Sequence, residues 1–328
     1  MQKTGFNRVP AERLISCVMT MKTFEKDGRT FQQWRVGAST FTACMTLGAR
    51  LMSWDIEVAG TRRSVIRWPE NADFSNFRNI RGGDPILFPF MGRNFADGKK
   101  FFWKNPVDGV VRPMPMHGYA TDGAFEIADA TADSVRARFL PDAAAREGYP
   151  FDYEFCVTFR FGELSLGAEL ELQNRGAVRL PWCAGHHFYF AMPWNKGLSR
   201  KDYVLKIDSK KFWHHAADGS LAKADAPAGG DAFSFADPAI CDLLYSKMKS
   251  NRVVFGPKNG EENVVVTVGD NEVPTPWTTV VTWSESDDSP FYCVEPWMGP
   301  PNSTAHGNGL HFVEPGETET FKVGVRLA

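Results

Sequence analysis

The sequence has little charge to spare. Lys and Arg number 37 against 39 Asp and Glu, so the formal net charge is −2, with 23% of residues charged. Such a balance carries no basic stripe for a nucleic-acid backbone and no polybasic segment for a membrane surface. Close cysteine pairs are missing as well. The six cysteines, Cys17, Cys44, Cys156, Cys183, Cys241 and Cys293, are scattered without a C-x-x-C. In a chain this long they read as free, mostly buried thiols of a reducing compartment, and the expected location is cytoplasmic. No apolar run reaches the roughly 18 residues of a membrane span. The segment Leu14–Met19 is too short and too interrupted for a signal-peptide core. No Gly-rich phosphate loop, no G-x-S-x-G elbow, no βαβ rhythm and no internal repeat occurs. The absences argue against nucleotide-binding α/β folds and against a serine hydrolase of the α/β type. Seven histidines are present, but none in H-x-x-x-H or H-x-H, and no His/Cys spacing suits a metal. Neither a metal nor a cofactor is expected.

What the chain does have is strand pattern and aromatic bulk. Phe41, Ala43, Met45 and Leu47 alternate with polar residues, as do Trp54, Ile56 and Val58. Tyr153, Phe155, Val157, Phe159 and Phe161 form one apolar face; Leu164 to Leu172 form the next after Gly162-Glu163; Phe321 to Leu327 close the chain. Alternation of this length marks half-buried antiparallel strands. Helical pattern is confined to Pro10–Thr20, outside the main body, and a turn or two within Pro238–Ser250. Ala216–Asp231 reads as a long surface loop. These patterns predict an all-β fold, a large antiparallel β-sandwich with few short helices. Residues 1–25 read as an N-terminal extension and 26–328 as a single domain. A chain of 328 residues that is 43% hydrophobic, with 26 Phe and 10 Trp, fills such a core easily.

Polar residues that could carry chemistry gather in a few places. Glu295 lies between the strand pattern Thr279–Trp283 and the break at Pro296, Gly299, Pro300 and Pro301. The prolines suggest that the chain leaves the sheet there, putting Glu295 on a sheet rim beside Trp297. A carboxylate next to an indole suits a sugar, whose C–H faces pack on aromatic rings. The ordinary reading is a solvated strand-end Glu. Arg81 and Arg93 flank the apolar run Pro85–Pro89 near Gly and Pro turns, where forked guanidinium donors reach hydroxyls or anions; salt bridging at the surface is the ordinary alternative. His117 sits in a Met-His-Gly turn, where a hydrogen-bonded loop histidine is commonplace. His186 and His187 are adjacent, so on a strand only one enters a given cavity. One histidine and one carboxylate over an aromatic cleft form a general acid and a general base. That pair is what opening a cyclic hemiacetal needs: the base takes the anomeric hydroxyl proton while the acid protonates the ring oxygen. The freed aldehyde carbon rotates, and reclosure gives the other anomer.

Taken in order, these clusters resemble the aldose 1-epimerase (galactose mutarotase-like) family. The segments are Ile80–Pro89 with Gly92-Arg93, Pro115–Ala120, His187–Phe190, Asp242–Tyr245 and Cys293–Trp297. Phe188 stands where the family's strand has Pro. The resemblance runs from about Phe31 to the C-terminus and implies the family's β-supersandwich. It implies His187 as general acid, Glu295 as general base, and His117 holding the sugar near the ring oxygen. Arg81, Arg93 and Asp242 would bind hydroxyls or a substituent. A stacking role for Trp297 is an inference from the residue type. The family usually has Arg after the His-Gly-Tyr-Ala turn, and its phosphosugar branch uses that Arg on the anion. Here the position is Thr121. An unphosphorylated aldohexose is therefore the expected substrate, with a hexose 6-phosphate as the alternative. A carbohydrate-binding sandwich without turnover is a further alternative, and a polysaccharide lyase or hydrolase would need an open groove. The only expected partner is a small sugar, with the chain a monomer or homodimer.

Overall fold

A computed structural model describes residues 19–26, 28–260 and 262–328. Among them, two antiparallel sheets account for most of the strands. The larger has thirteen. Its main path runs Met19–Lys26, Arg29–Val36, Ser39–Cys44, Arg50–Val58, Thr61–Ile66, Phe188–Ala191, Phe291–Trp297, Thr279–Trp283, Leu243–Met248, Ser209–His215 and Leu221–Ala224, with Ile86–Leu87 and Gly185–His186 attached beside it. The smaller has nine strands, with Tyr153–Gly162, Ser165–Asn174 and Thr318–Leu327 near its centre. The all-β sandwich is as the strand patterns predicted.

The sheets pack face to face through aromatic side chains. Phe161 of the smaller sheet lies 4.6 Å from Trp34 and 4.7 Å from Phe41, ring to ring. Phe190 meets Phe255 at 4.8 Å. Offset and edge-on ring contacts of this kind each add about 0.5–1.5 kcal/mol beyond the area buried.

The chain departs from the sequence reading at four points. Phe291–Trp297 does not leave the sheet at Pro296: Glu295, Pro296 and Trp297 remain in register opposite Val281, Val280 and Thr279. On the other side the neighbouring ladder is interrupted. Phe188 pairs with Val294 and Gly185 with Trp297, with nothing between. The Met298 N–H bonds the Ala184 carbonyl. By strand alternation the Pro296 nitrogen points to that same side, into the interruption, where a missing N–H breaks no ladder bond. Glu295 is therefore not on a rim. All seven residues of its strand are buried. Second, Pro238–Ser250 holds only a 3₁₀ turn, Pro238–Ile240, followed by the strand Leu243–Met248, which lies inside the sheet and so lacks a clean alternation. Third, the expected loop Ala216–Asp231 contains the edge strand Leu221–Ala224, paired with Phe212–His215. Fourth, the helix expected over Pro10–Thr20 falls mostly outside the described residues, and Met19 and Thr20 already belong to the first strand. That strand pairs with Arg29–Val36, so the sheet starts inside the segment read as an extension.

Candidate active site

Two titratable side chains meet at the centre of the large sheet. Strand alternation sends Tyr292 and Val294 toward the smaller sheet and Cys293, Glu295 and Trp297 to the opposite face. His187 occupies the interruption between Gly185–His186 and Phe188–Ala191. From there its Nε2 comes within 3.4 Å of Glu295 Oε1. Glu295 is 2% exposed and His187 8%. His186 points the other way: its Nδ1 lies 2.8 Å from Asp84 Oδ2, while Asp84 Oδ1 accepts the His187 backbone N–H at 3.0 Å. One fully buried carboxylate thus fixes both halves of the histidine pair.

Asp84 is in turn held by its own segment. Arg50, completely buried, donates to the carbonyls of Phe77, Ile80 and Gly82 at 2.6 to 3.2 Å. Burial pulls this guanidinium down to about 10. The carbonyls bind the loop that leads into Arg81 and Asp84, and they satisfy a charge that would otherwise be costly to bury.

His117 enters from a loop with φ of 65°. Its N–H donates to the Gly92 carbonyl at 2.9 Å, and its Nδ1 accepts the Gly92 N–H at 3.2 Å. With Nδ1 accepting, the neutral ring carries its proton on Nε2. Burial, aided by Arg78, Arg81 and Arg93, depresses its pKa to about 3, so it is a neutral donor throughout the working range. The next residue must be Gly118: a Cβ there would lie 1.9 Å from the Phe88 carbonyl oxygen. The His117 ring is 5.4 Å from that of His187 and 6.2 Å from that of Trp297.

Around these groups is a cavity of about 320 Å³, the low end of the range for small-ligand sites. The structure brings all seven residues singled out in the sequence to its wall: His117, His187, Glu295, Arg81, Arg93, Asp242 and Trp297. The Trp297 indole N–H is buried there beside the Glu295 carboxyl, whose pKa it draws down against the rise that burial imposes. Arg81 lies over the Trp283 ring at 5.1 Å and reaches Glu285 at 3.4 Å. Arg93 donates to the His215 carbonyl at 3.1 Å. Asp242 has its pKa raised by burial, against the pull of Arg93 and His214.

Sequence reasoning missed several wall residues. Arg78 donates to the carbonyls of Met116 and Gly118 at 2.8 and 3.0 Å and pairs with Asp122 at 2.5 Å. It ties the His117 turn down and takes up the Asp122 charge. His215 also lines the cavity, its pKa lowered to about 4 by burial and by Arg93. Nothing local marks Arg78, whose partners lie 38 to 44 residues away. His215 is half of the adjacent pair His214-His215, and only its strand register shows which half faces the cavity.

Burial acts oppositely on the central pair. It raises the Glu295 pKa well above the ordinary carboxyl value, with Asp242 adding to the effect. It lowers that of His187 well below the ordinary imidazole value, with His117 adding to the effect. Between the two shifted values the pair holds one proton. Proton exchange with two oxygens on the same carbon needs an acid and a base side by side, and 3.4 Å supplies that spacing.

The family profile described as aldose 1-epimerase matches residues 34–326. The chain belongs to the aldose 1-epimerase family. A LacX protein of Lactococcus lactis is 24% identical over 264 residues, covering 74% of this chain and 81% of the relative. A galactose mutarotase-like protein from Clostridium acetobutylicum superposes with a TM-score of 0.76 at 16% identity, covering 94% of this chain and 98% of that one. A putative aldose 1-epimerase from Escherichia coli K12 gives 0.67 at 16% identity, over 95% and 99%. At such identities the structures establish the fold, and the family membership supports a mutarotase activity in general terms.

Proposed function

We propose that the protein interconverts the α and β anomers of an unphosphorylated aldohexose. The observation that carries this reading is the buried His187–Glu295 pair, 3.4 Å apart, on the wall of a cavity sized for one sugar ring. In the reactive arrangement Glu295 is a carboxylate and His187 an imidazolium. Glu295 takes the proton of the anomeric hydroxyl; His187 gives its proton to the ring oxygen; the C1–O5 bond breaks and the aldehyde forms. Two charged groups become two neutral ones, which is the arrangement that burial favours. Rotation about C1–C2 and the reverse transfers close the other anomer. His117 Nε2–H is a donor for a sugar oxygen, and the Trp297 indole face is a platform for the ring.

Among the arginines of the wall, two already face carboxylates: Arg78 meets Asp122 and Arg81 meets Glu285. A phosphate would have to displace these partners, and Thr121 supplies no replacement cation. The five described cysteines are all unpaired, consistent with a reducing compartment, and among the described residues no helix is long and apolar enough to cross a membrane.

The test is saturation-transfer NMR on the anomeric protons with glucose, galactose and glucose 6-phosphate, comparing the wild type with Glu295→Gln. Acceleration by the wild type alone, larger for a neutral sugar, is the expected result. A larger effect on glucose 6-phosphate would overturn the substrate assignment. Saturable binding without acceleration would leave a carbohydrate-binding protein instead.

A further inference from the structure

The residue beside the proton-transfer pair has no part in sugar chemistry. Cys293 lies two positions before Glu295 on the same strand, so both side chains leave the same face of the sheet. His187 meets them from the adjoining interruption. A nitrogen of His187, the sulfur of Cys293 and a carboxyl oxygen of Glu295 all lie within 4.8 Å of one another, and all three residues are buried. The His187 Nε2 to Glu295 Oε1 separation is 3.4 Å. Two ligands each about 2.0–2.1 Å from a tetrahedral zinc ion are roughly 3.3 Å apart, so this edge of a coordination shell is already formed. The sulfur lies within 4.8 Å of both other donors and has to come nearer by up to about 1 Å to ligate.

The donor types narrow the ion. Imidazole nitrogen and thiolate sulfur suit zinc, cobalt or cadmium and not magnesium or calcium, which take oxygen ligands. Three protein ligands leave a fourth position for water or a sugar hydroxyl. A dication bound to one thiolate and one carboxylate leaves the buried cluster neutral, and two protons depart to solvent as it binds, one from the thiol and one from the His187–Glu295 pair. The neighbouring Arg81 is turned toward Glu285 and the Trp283 ring. No spacing rule flags this set, because two donors sit at i and i+2 on a strand and the third lies more than a hundred residues away.

We propose that His187, Cys293 and Glu295 bind one thiophilic divalent cation of the zinc type, and that the bound ion takes the proton-transfer pair out of use. The second half of this statement rests on the proposed mutarotase reading; the first half does not. Ligation occupies the His187 lone pair and the Glu295 carboxylate together, so neither can exchange a proton with the sugar.

The experiment titrates Zn²⁺ alone into the metal-free, sugar-free protein by calorimetry and repeats the titration with Co²⁺, whose thiolate charge-transfer band reports a sulfur ligand. One equivalent of either ion and the cobalt band are expected. Cys293→Ser should abolish the band and weaken zinc binding by about 100-fold, since one of three ligands is gone. His187→Asn, which keeps the thiol, covers the case in which Cys293→Ser does not fold, and should show a similar loss. No stoichiometric binding, or equal affinity in wild type and both variants, would overturn the site. Zinc binding to a protein that does not turn over any sugar would leave the site standing and remove the mutarotase reading. Turnover unaffected by stoichiometric zinc would overturn the inhibitory half.

Discussion

Two strands of similar β character play opposite parts in this molecule. Ser165–Asn174, near the middle of the smaller sheet, alternates half-exposed and buried residues without a break. Phe291–Trp297, at the heart of the larger sheet, is buried at every position. The first has one wet face, so Glu169, Glu171 and Gln173 lie on the half-exposed side and each leucine goes inside, while the terminal Asn174 is buried and donates to the carbonyls of Val178 and Val313. The second is covered on both faces, by the smaller sheet on one side and by the loops of the cavity wall on the other. A carboxyl there is 2% exposed and meets solvent only through the cavity. The smaller sheet stabilises the sandwich; the centre of the larger one supplies a dry place where burial pushes a histidine and a glutamate toward a shared proton.

That contrast can be broken first at the pair. Glu295→Gln and His187→Asn should each slow anomer exchange by about 10²–10⁴-fold in the NMR assay, the scale of losing a general base or acid. Glu295→Gln should nevertheless melt at least as high as the wild type above pH 7. Burial raises the folded pKa of Glu295. Its ionisation therefore costs stability as pH rises from the unfolded value to the folded one, and Gln removes that cost. A clear drop in melting temperature would mean that Glu295 holds the fold together.

Wild-type turnover should follow a bell against pH. It falls at low pH as His187 gains a second proton for the pair, on a limb displaced below 6.5, and it falls at high pH as the raised Glu295 loses the last one. An acid limb above 6.5 would contradict the placement of His187.

Next in size comes Asp84→Asn. Asp84 acts through the histidines as a positioning residue, so kcat should drop by about 10²-fold while KM changes little, the pattern of a misplaced acid. A loss confined to KM would place Asp84 on the sugar instead. Trp297→Ala should raise KM by about tenfold with a smaller change in kcat, the energy of one aromatic platform. An unchanged KM removes Trp297 from the site.

The smallest effect on turnover belongs to the other sheet. Leu170→Ala, at a fully buried position, should cost about 2–5 kcal/mol of stability in denaturant melts and leave the kcat of the folded protein near wild type. A large kcat loss would mean that the two sheets do not divide the work as described.

The same contrast governs what could be read in advance. Alternation along Tyr153–Phe161, Leu164–Leu172 and Phe321–Leu327 was legible because one face of those strands is mostly polar, and the all-β class followed. The pattern failed at Leu243–Met248, where a central strand loses its alternation and was read as partly helical. It failed again at Pro296, where a proline looked like an exit from the sheet. The seven positions chosen in the sequence come together on the wall of one cavity. Arg78, Asp84 and His215 were not assigned, because each acts through partners distant in the sequence.

Composition and period thus decided the class of fold and the residue types available for chemistry, since strand alternation and side-chain identity are local properties. The tertiary structure alone decided that Glu295 is buried, that it meets His187, the histidine the family resemblance singled out, at 3.4 Å, and that Cys293 stands beside them. Those facts depend on which strands become neighbours and where a ladder is interrupted. Strand pairing joins residues a hundred or more positions apart, and no local pattern encodes that register.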